Sequence, residues 1–141
     1  MFNKPFEERL VVWKSFRTAL ETSESPVEDC INFYNSVPLV SIQADPYDQS
    51  TWPTPWELIK ENIYCPFVKV LAICYTLQLT ERFSQSQFEI HITQDTEKSE
   101  TKYLLYVDGL CIGYDHSKII PVDILPKSVI IEKSYTMPSL Q

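Results

Sequence analysis

The sequence predicts an α+β protein, with N-terminal helices and one central apolar helix packed on a small antiparallel sheet. Three observations carry that expectation. Apolar residues recur at helical spacing through the first eighty positions, the period changes to two after Phe83, and Asp108-Gly109 stands between two alternating runs. At 141 residues the chain is expected to be one domain over 1–133 with an extended tail over 134–141. A chain of this length buries roughly two-thirds of its unfolded surface.

Phe6, Leu10, Trp13, Phe16 and Leu20 form one stripe, with Glu7, Glu8, Lys14 and Arg17 off it, so residues 6–20 read as an amphipathic helix. Ser25-Pro26-Val27-Glu28 has the form of a capping box with proline at the first helical position and opens a short helix to about Tyr34. Thr54-Pro55-Trp56-Glu57 repeats the device and opens a third helix to about Asn62. Cys65-Pro66 opens a fourth, Phe67 to about Leu79, whose apolar residues cover most of its circumference and leave Lys69, Thr76 and Thr80 as a narrow polar stripe. A helix this apolar belongs at the centre of a fold.

Phe88, Ile90 and Ile92 alternate with Gln87, Glu89, His91 and Thr93 as in a half-buried strand, and Asp95–Thr101 is a polar loop. Lys102–Val107 and Leu110–Tyr114 flank Asp108-Gly109, the preferred pair for a two-residue type I′ turn. That register sets Val107 against Leu110, Leu105 against Ile112 and Tyr103 against Tyr114. Val129–Lys133 is the expected last strand.

Composition removes several function classes. Two glycines leave no phosphate cradle of the P-loop or dinucleotide type. Twelve basic residues against nineteen acidic ones, each sign spread evenly over both halves, give a net charge of −7 and no basic patch for nucleic acid. No run has the length for a signal peptide or a membrane span, so a soluble, intracellular protein is expected. The four cysteines lack CxxC spacing, which argues against zinc and for free thiols, and no cofactor is expected.

Cys65 is the sharpest chemical candidate. A thiol at a helix N-terminus meets the positive end of the helix dipole, which favours thiolate. A cysteine nucleophile also needs an imidazole and a group to orient it. Cys65, His91 and Asp115 occur in an order from which such a set can be drawn, with Asp108 as a second carboxylate on the hairpin.

The block Thr54-Pro55-Trp56-Glu57-Leu58-Ile59, followed by Cys65 opening an apolar helix that ends Tyr75-Thr76-Leu77-Gln78-Leu79, resembles the core of transglutaminase-like cysteine proteins, including the bacterial transglutaminase-like cysteine proteinases. In that family a cysteine caps the central helix, and strands bearing a histidine and an aspartate follow. Leu110-Cys111-Ile112-Gly113-Tyr114-Asp115 with Ile119-Ile120-Pro121 is similar to the strand that ends in the aspartate. The likeness spans about half the chain, Thr51–Pro121. Two departures stand out. Pro66-Phe67 replaces the acidic residues that usually follow the cysteine, and Lys102-Tyr103-Leu104-Leu105 carries no histidine where the family has one, so His91 would have to serve from the neighbouring strand. Pro66 also removes a backbone N–H close to where an oxyanion would form. The resemblance implies a scaffold kept and an active site lost. In style, the Asp45-Pro46-Tyr47-Asp48 and Trp52-Pro53-Thr54-Pro55-Trp56 blocks also resemble proteins of large tailed bacteriophages.

The remaining motifs have simpler readings. His116 beside Asp115 could join Cys111 at a metal, but no spaced partners accompany them, and no metal site is expected. Asp45-Pro46-Tyr47-Asp48 is a turn signature. The expected function is therefore a non-enzymatic structural or interaction protein, a phage virion or accessory component whose partners are other proteins, possible neighbouring virion subunits among them. Trp52, Trp56, Tyr135, Met137 and Leu140 are its expected contact residues. The alternative is an active thiol hydrolase or acyltransferase with Cys65 as nucleophile. A third option is a small regulator that docks by its tryptophan loop.

Overall fold

A computed structural model describes residues 1–41, 44–115 and 118–140. Four helices precede a five-stranded antiparallel sheet, the α+β arrangement expected. The helices are α1 (Phe6–Leu20), α2 (Pro26–Tyr34), α3 (Pro55–Glu61) and α4 (Pro66–Gln78); the strands are β1 (Phe88–Asp95), β2 (Glu100–Val107), β3 (Leu110–Asp115), β4 (Lys118–Pro121) and β5 (Val129–Thr136). None of these helices is long and apolar enough to cross a membrane.

The two helix starts written alike are built differently. At α3 the Thr54 hydroxyl accepts from the Glu57 N–H and the Glu57 carboxylate accepts from the Thr54 N–H, a complete capping box. At α2 the Ser25 side chain makes no cap bond. The Ser25 N–H instead donates to the Ser23 hydroxyl, which donates to Asp29, and Pro26 alone sets the first helical φ.

α4 is the central helix, buried along nearly its whole length against α2, α3 and the faces of β1 and β2. Two of the three residues in its expected polar stripe do not face water. Thr76 and Thr80 are fully buried. Thr76 Oγ1 lies 3.0 Å from Trp13 Nε1 and 2.8 Å from the Tyr34 hydroxyl, and donates to the Ala72 carbonyl at 2.7 Å. One hydroxyl thus supplies the polar partner that two buried aromatic side chains require.

Phe88, Ile90, Leu105, Val107 and Ile112 form the sheet face that meets the helices. The Asp108-Gly109 turn has positive φ at both residues, 50° and 79°, as type I′ demands. Val107 pairs with Leu110 and Leu105 with Ile112, as the turn fixes. The expected Tyr103–Tyr114 pair is not in the β2–β3 register, which ends at Ile112. Gly113 adopts φ +105°, and a Cβ there would collide with the Tyr103 carbonyl oxygen, so the strands meet too closely for any other residue.

The strand order is β4-β3-β2-β1-β5. β4 was not read from the sequence as a strand, and β5 returns to lie beside β1 rather than following β4. Residues 122–128 therefore run from one edge of the sheet to the other. The Val122 N–H binds the Gly109 carbonyl at one end of that path and the Ser128 carbonyl accepts from Thr96 at the other. Leu104, Cys111 and His91, on the face turned away from α4, are also buried.

The C-terminal segment is where expectation and structure part. β5 continues to Thr136 rather than ending at Lys133. Tyr135 and Met137 are buried, the Met137 N–H binds the Phe88 carbonyl, and Gln78 Nε2 donates to the Pro138 carbonyl. Tyr135, Met137 and Leu140 pack within their own subunit while Ser134, Thr136, Pro138 and Ser139 stay exposed, because the two-residue period of β5 turns Tyr135 and Met137 to one side as in any strand.

Candidate functional site

Cys65 is the N-cap of α4, in extended conformation with no side-chain cap bond, and its side chain is 1% exposed. Pro66 occupies the first helical position as expected. The thiol lies on the core side of the sheet near Tyr103, whose phenol is pushed up by burial and then by neighbouring Cys65.

His91 is elsewhere. Its neighbours Ile90 and Ile92 are fully buried, and Ile90 belongs to the helix-facing core. Alternation sends the imidazole to the opposite face. There it pairs across strands with Leu104 and Ser134, lies 4.0 Å centroid to centroid from the Tyr106 ring, and has Nδ1 2.8 Å from Ser134 Oγ. The sheet itself separates it from Cys65. Asp115 is exposed at the end of β3, paired with Lys118. The structure does not bring Cys65, His91 and Asp115 together. His116 lies outside the described residues. Among the described residues no three His, Cys, Asp or Glu side chains converge on a metal-sized site.

What the structure assembles around His91 is a different polar set, which the sequence reading missed. Nδ1 shares a hydrogen bond with the Ser134 hydroxyl, and Nε2 faces Glu89 Oε1 at 3.5 Å. That contact is too long for a hydrogen bond, and Nε2 is a buried nitrogen without one. Burial lowers the His91 pKa, and Glu89 only partly opposes it. The imidazole is therefore neutral at pH 7. It ties edge strand β5 to β1.

The proposed contact residues divide. Trp52 is half-buried, its ring 4.9 Å from Phe67 and 4.8 Å from Tyr135, and its indole N–H binds the Asp45 carbonyl. It packs the helix–sheet junction together with Tyr135. Met137 and Leu140 pack on the core as well. Trp56 remains 55% exposed, one ring edge on Trp13. Asp45–Asp48 is the turn expected: Asp45 Oδ1 accepts from the Tyr47 N–H, and Asp48 caps the following 3-10 turn through Ser50, which lowers its pKa. At the sheet edge, β5 exposes Ile130 and Ile131, at 53% and 47%. Glu132 beside them accepts a hydrogen bond from the Tyr47 hydroxyl.

No family model and no curated protein matches the chain.

Proposed function

We propose that the protein is a non-enzymatic structural or interaction protein, a virion or accessory component of a large tailed bacteriophage, on a degenerate transglutaminase-like scaffold. One observation carries the first part of that reading: Cys65 is buried under one face of the sheet, while His91 lies on the other, bound to Ser134. Among the described residues no imidazole lies within reach of this thiol, and without one it has no general base to generate thiolate during acyl transfer. The phage origin and the scaffold rest on the sequence resemblances alone.

Packing of residues 134–140 moves the contact surface away from the tail. An edge strand offers unpaired backbone groups to an extended segment of another chain. β5 is such an edge, and Ile130, Ile131 and, apart from it, Trp56 are the large apolar side chains left in solvent that best fit this role.

The test is a p-nitrophenyl ester assay on the intact chain and on Cys65→Ser. The reading expects no nitrophenolate burst and equal slow rates from the two proteins. A burst approaching one equivalent that Cys65→Ser abolishes would establish the thiol acyltransferase instead.

A further inference from the structure

A cleft of about 380 Å³ opens between α2, the first half of α4 and the adjoining ends of β2 and β3. Its apolar wall is Ile31, Val70, Ile73 and Ile112, and Lys69 and Lys102 stand among the lining side chains. The two ammonium groups are not equivalent. Lys102 Nζ is 3.4 Å from Glu100 Oε2 and also donates to the Tyr114 carbonyl. Lys69 Nζ donates at 3.1 Å to Asn35 Oδ1, a neutral amide, and no carboxylate among the described residues lies within ion-pair distance of it.

The charges of Lys69, Lys102 and Glu100 leave the cleft one positive charge in a chain of net −7. Lys69 is half-buried, and burial lowers its pKa. A partly desolvated ammonium beside an apolar wall gains most from an anion that arrives with its own apolar body, because the same ligand restores the lost solvation and covers the hydrocarbon. The volume falls within the range of small-molecule sites, roughly 300–1,000 Å³, and is too small to seat a helix or strand of another chain.

We propose that this cleft binds a small carboxylic acid with an apolar body, the carboxylate on Lys69 and the alkyl or aryl portion against Ile31, Val70, Ile73 and Ile112. The site is independent of whether β5 meets another protein. It is also independent of Cys65, which does not line it.

The experiment is calorimetric titration of the full chain with octanoate at pH 7 and low ionic strength. One saturable site is expected, with a Kd below roughly 1 mM. Lys69→Gln should weaken binding roughly tenfold or more, since it removes a charge-assisted bond. Lys69→Arg should retain binding, and Lys60→Gln, at an exposed position of α3, should leave it unchanged. Octylammonium should fail to bind. Failure of octanoate to saturate, equal affinity in Lys69→Gln, or equal binding of octylammonium would each overturn the proposal. So would a peptide with a free C-terminal leucine that binds where octanoate does not. Amide shifts in the wild-type protein give a check that needs no variant: octanoate should move Ile73 and Gly113, and shifts confined to other regions would refute the assignment.

Discussion

Replacing Thr76 by valine keeps the side-chain shape and removes the hydroxyl on which the helical layer converges. Trp13, Tyr34 and Thr76 are each 1% exposed or less. The indole N–H is a donor only, and its acceptor is Thr76 Oγ1 at 3.0 Å. Stranding a buried donor costs about 1–3 kcal/mol, and loss of the Tyr34 contact adds about 1 kcal/mol. The new methyl returns up to about 0.8 kcal/mol through burial. Thr76→Val should therefore destabilise the protein by about 2 kcal/mol, while Thr76→Ser, which keeps the oxygen, should cost less. Urea unfolding followed by tryptophan emission measures both. A loss below about 0.5 kcal/mol in Thr76→Val, or equal losses in the two variants, would show that the hydroxyl is not the shared partner.

Two further outcomes follow from burial. Leu71, fully buried in the middle of α4, should cost about 2–5 kcal/mol on conversion to alanine, and a change under about 1 kcal/mol in urea melts would remove α4 from the centre of the fold. Because burial sets the His91 pKa below its ordinary 6.5, the unfolded chain takes up this proton first as pH falls. The His91 contribution to stability is thus complete above 6.5 and declines below it, by at most about 1.4 kcal/mol per pH unit. His91→Gln should flatten that part of the wild-type curve between pH 6.5 and the onset of carboxylate titration, and parallel curves would contradict the assignment.

The features legible in the sequence are those that local chemistry decides. Thr54-Pro55-Trp56-Glu57 closes its cap with its own atoms, Asp108-Gly109 fixes a hairpin register by backbone twist alone, and the apolar girth of residues 67–79 requires cover on every side. Remote pairing is not written in that way. Nothing local states that β5 crosses to the far edge beside β1, so Tyr135 and Met137 were read as part of a tail although they continue the two-residue period of the strand before them. His91 shows the same limit. Its place opposite the core follows from alternation, but its bond to Ser134 depends on β5 lying beside β1. Thr76 stood out only as part of a polar stripe, because spacing reveals such a stripe without revealing the aromatic donors that meet it. The Lys69 cleft left a single trace, one cation on an otherwise apolar helix.

The separation of Cys65 from any described imidazole is tested most directly by the alkylation rate of each cysteine in the native protein. Iodoacetamide at pH 7, with peptide-level mass spectrometry, reads Cys30, Cys65, Cys74 and Cys111 separately. All four are buried. Cys65 should react no faster than the thiol of an unstructured peptide and should become fully reactive only in urea. Rapid native labelling confined to Cys65 would mean that the thiol is open and activated, and would contradict the reading of this scaffold as catalytically silent.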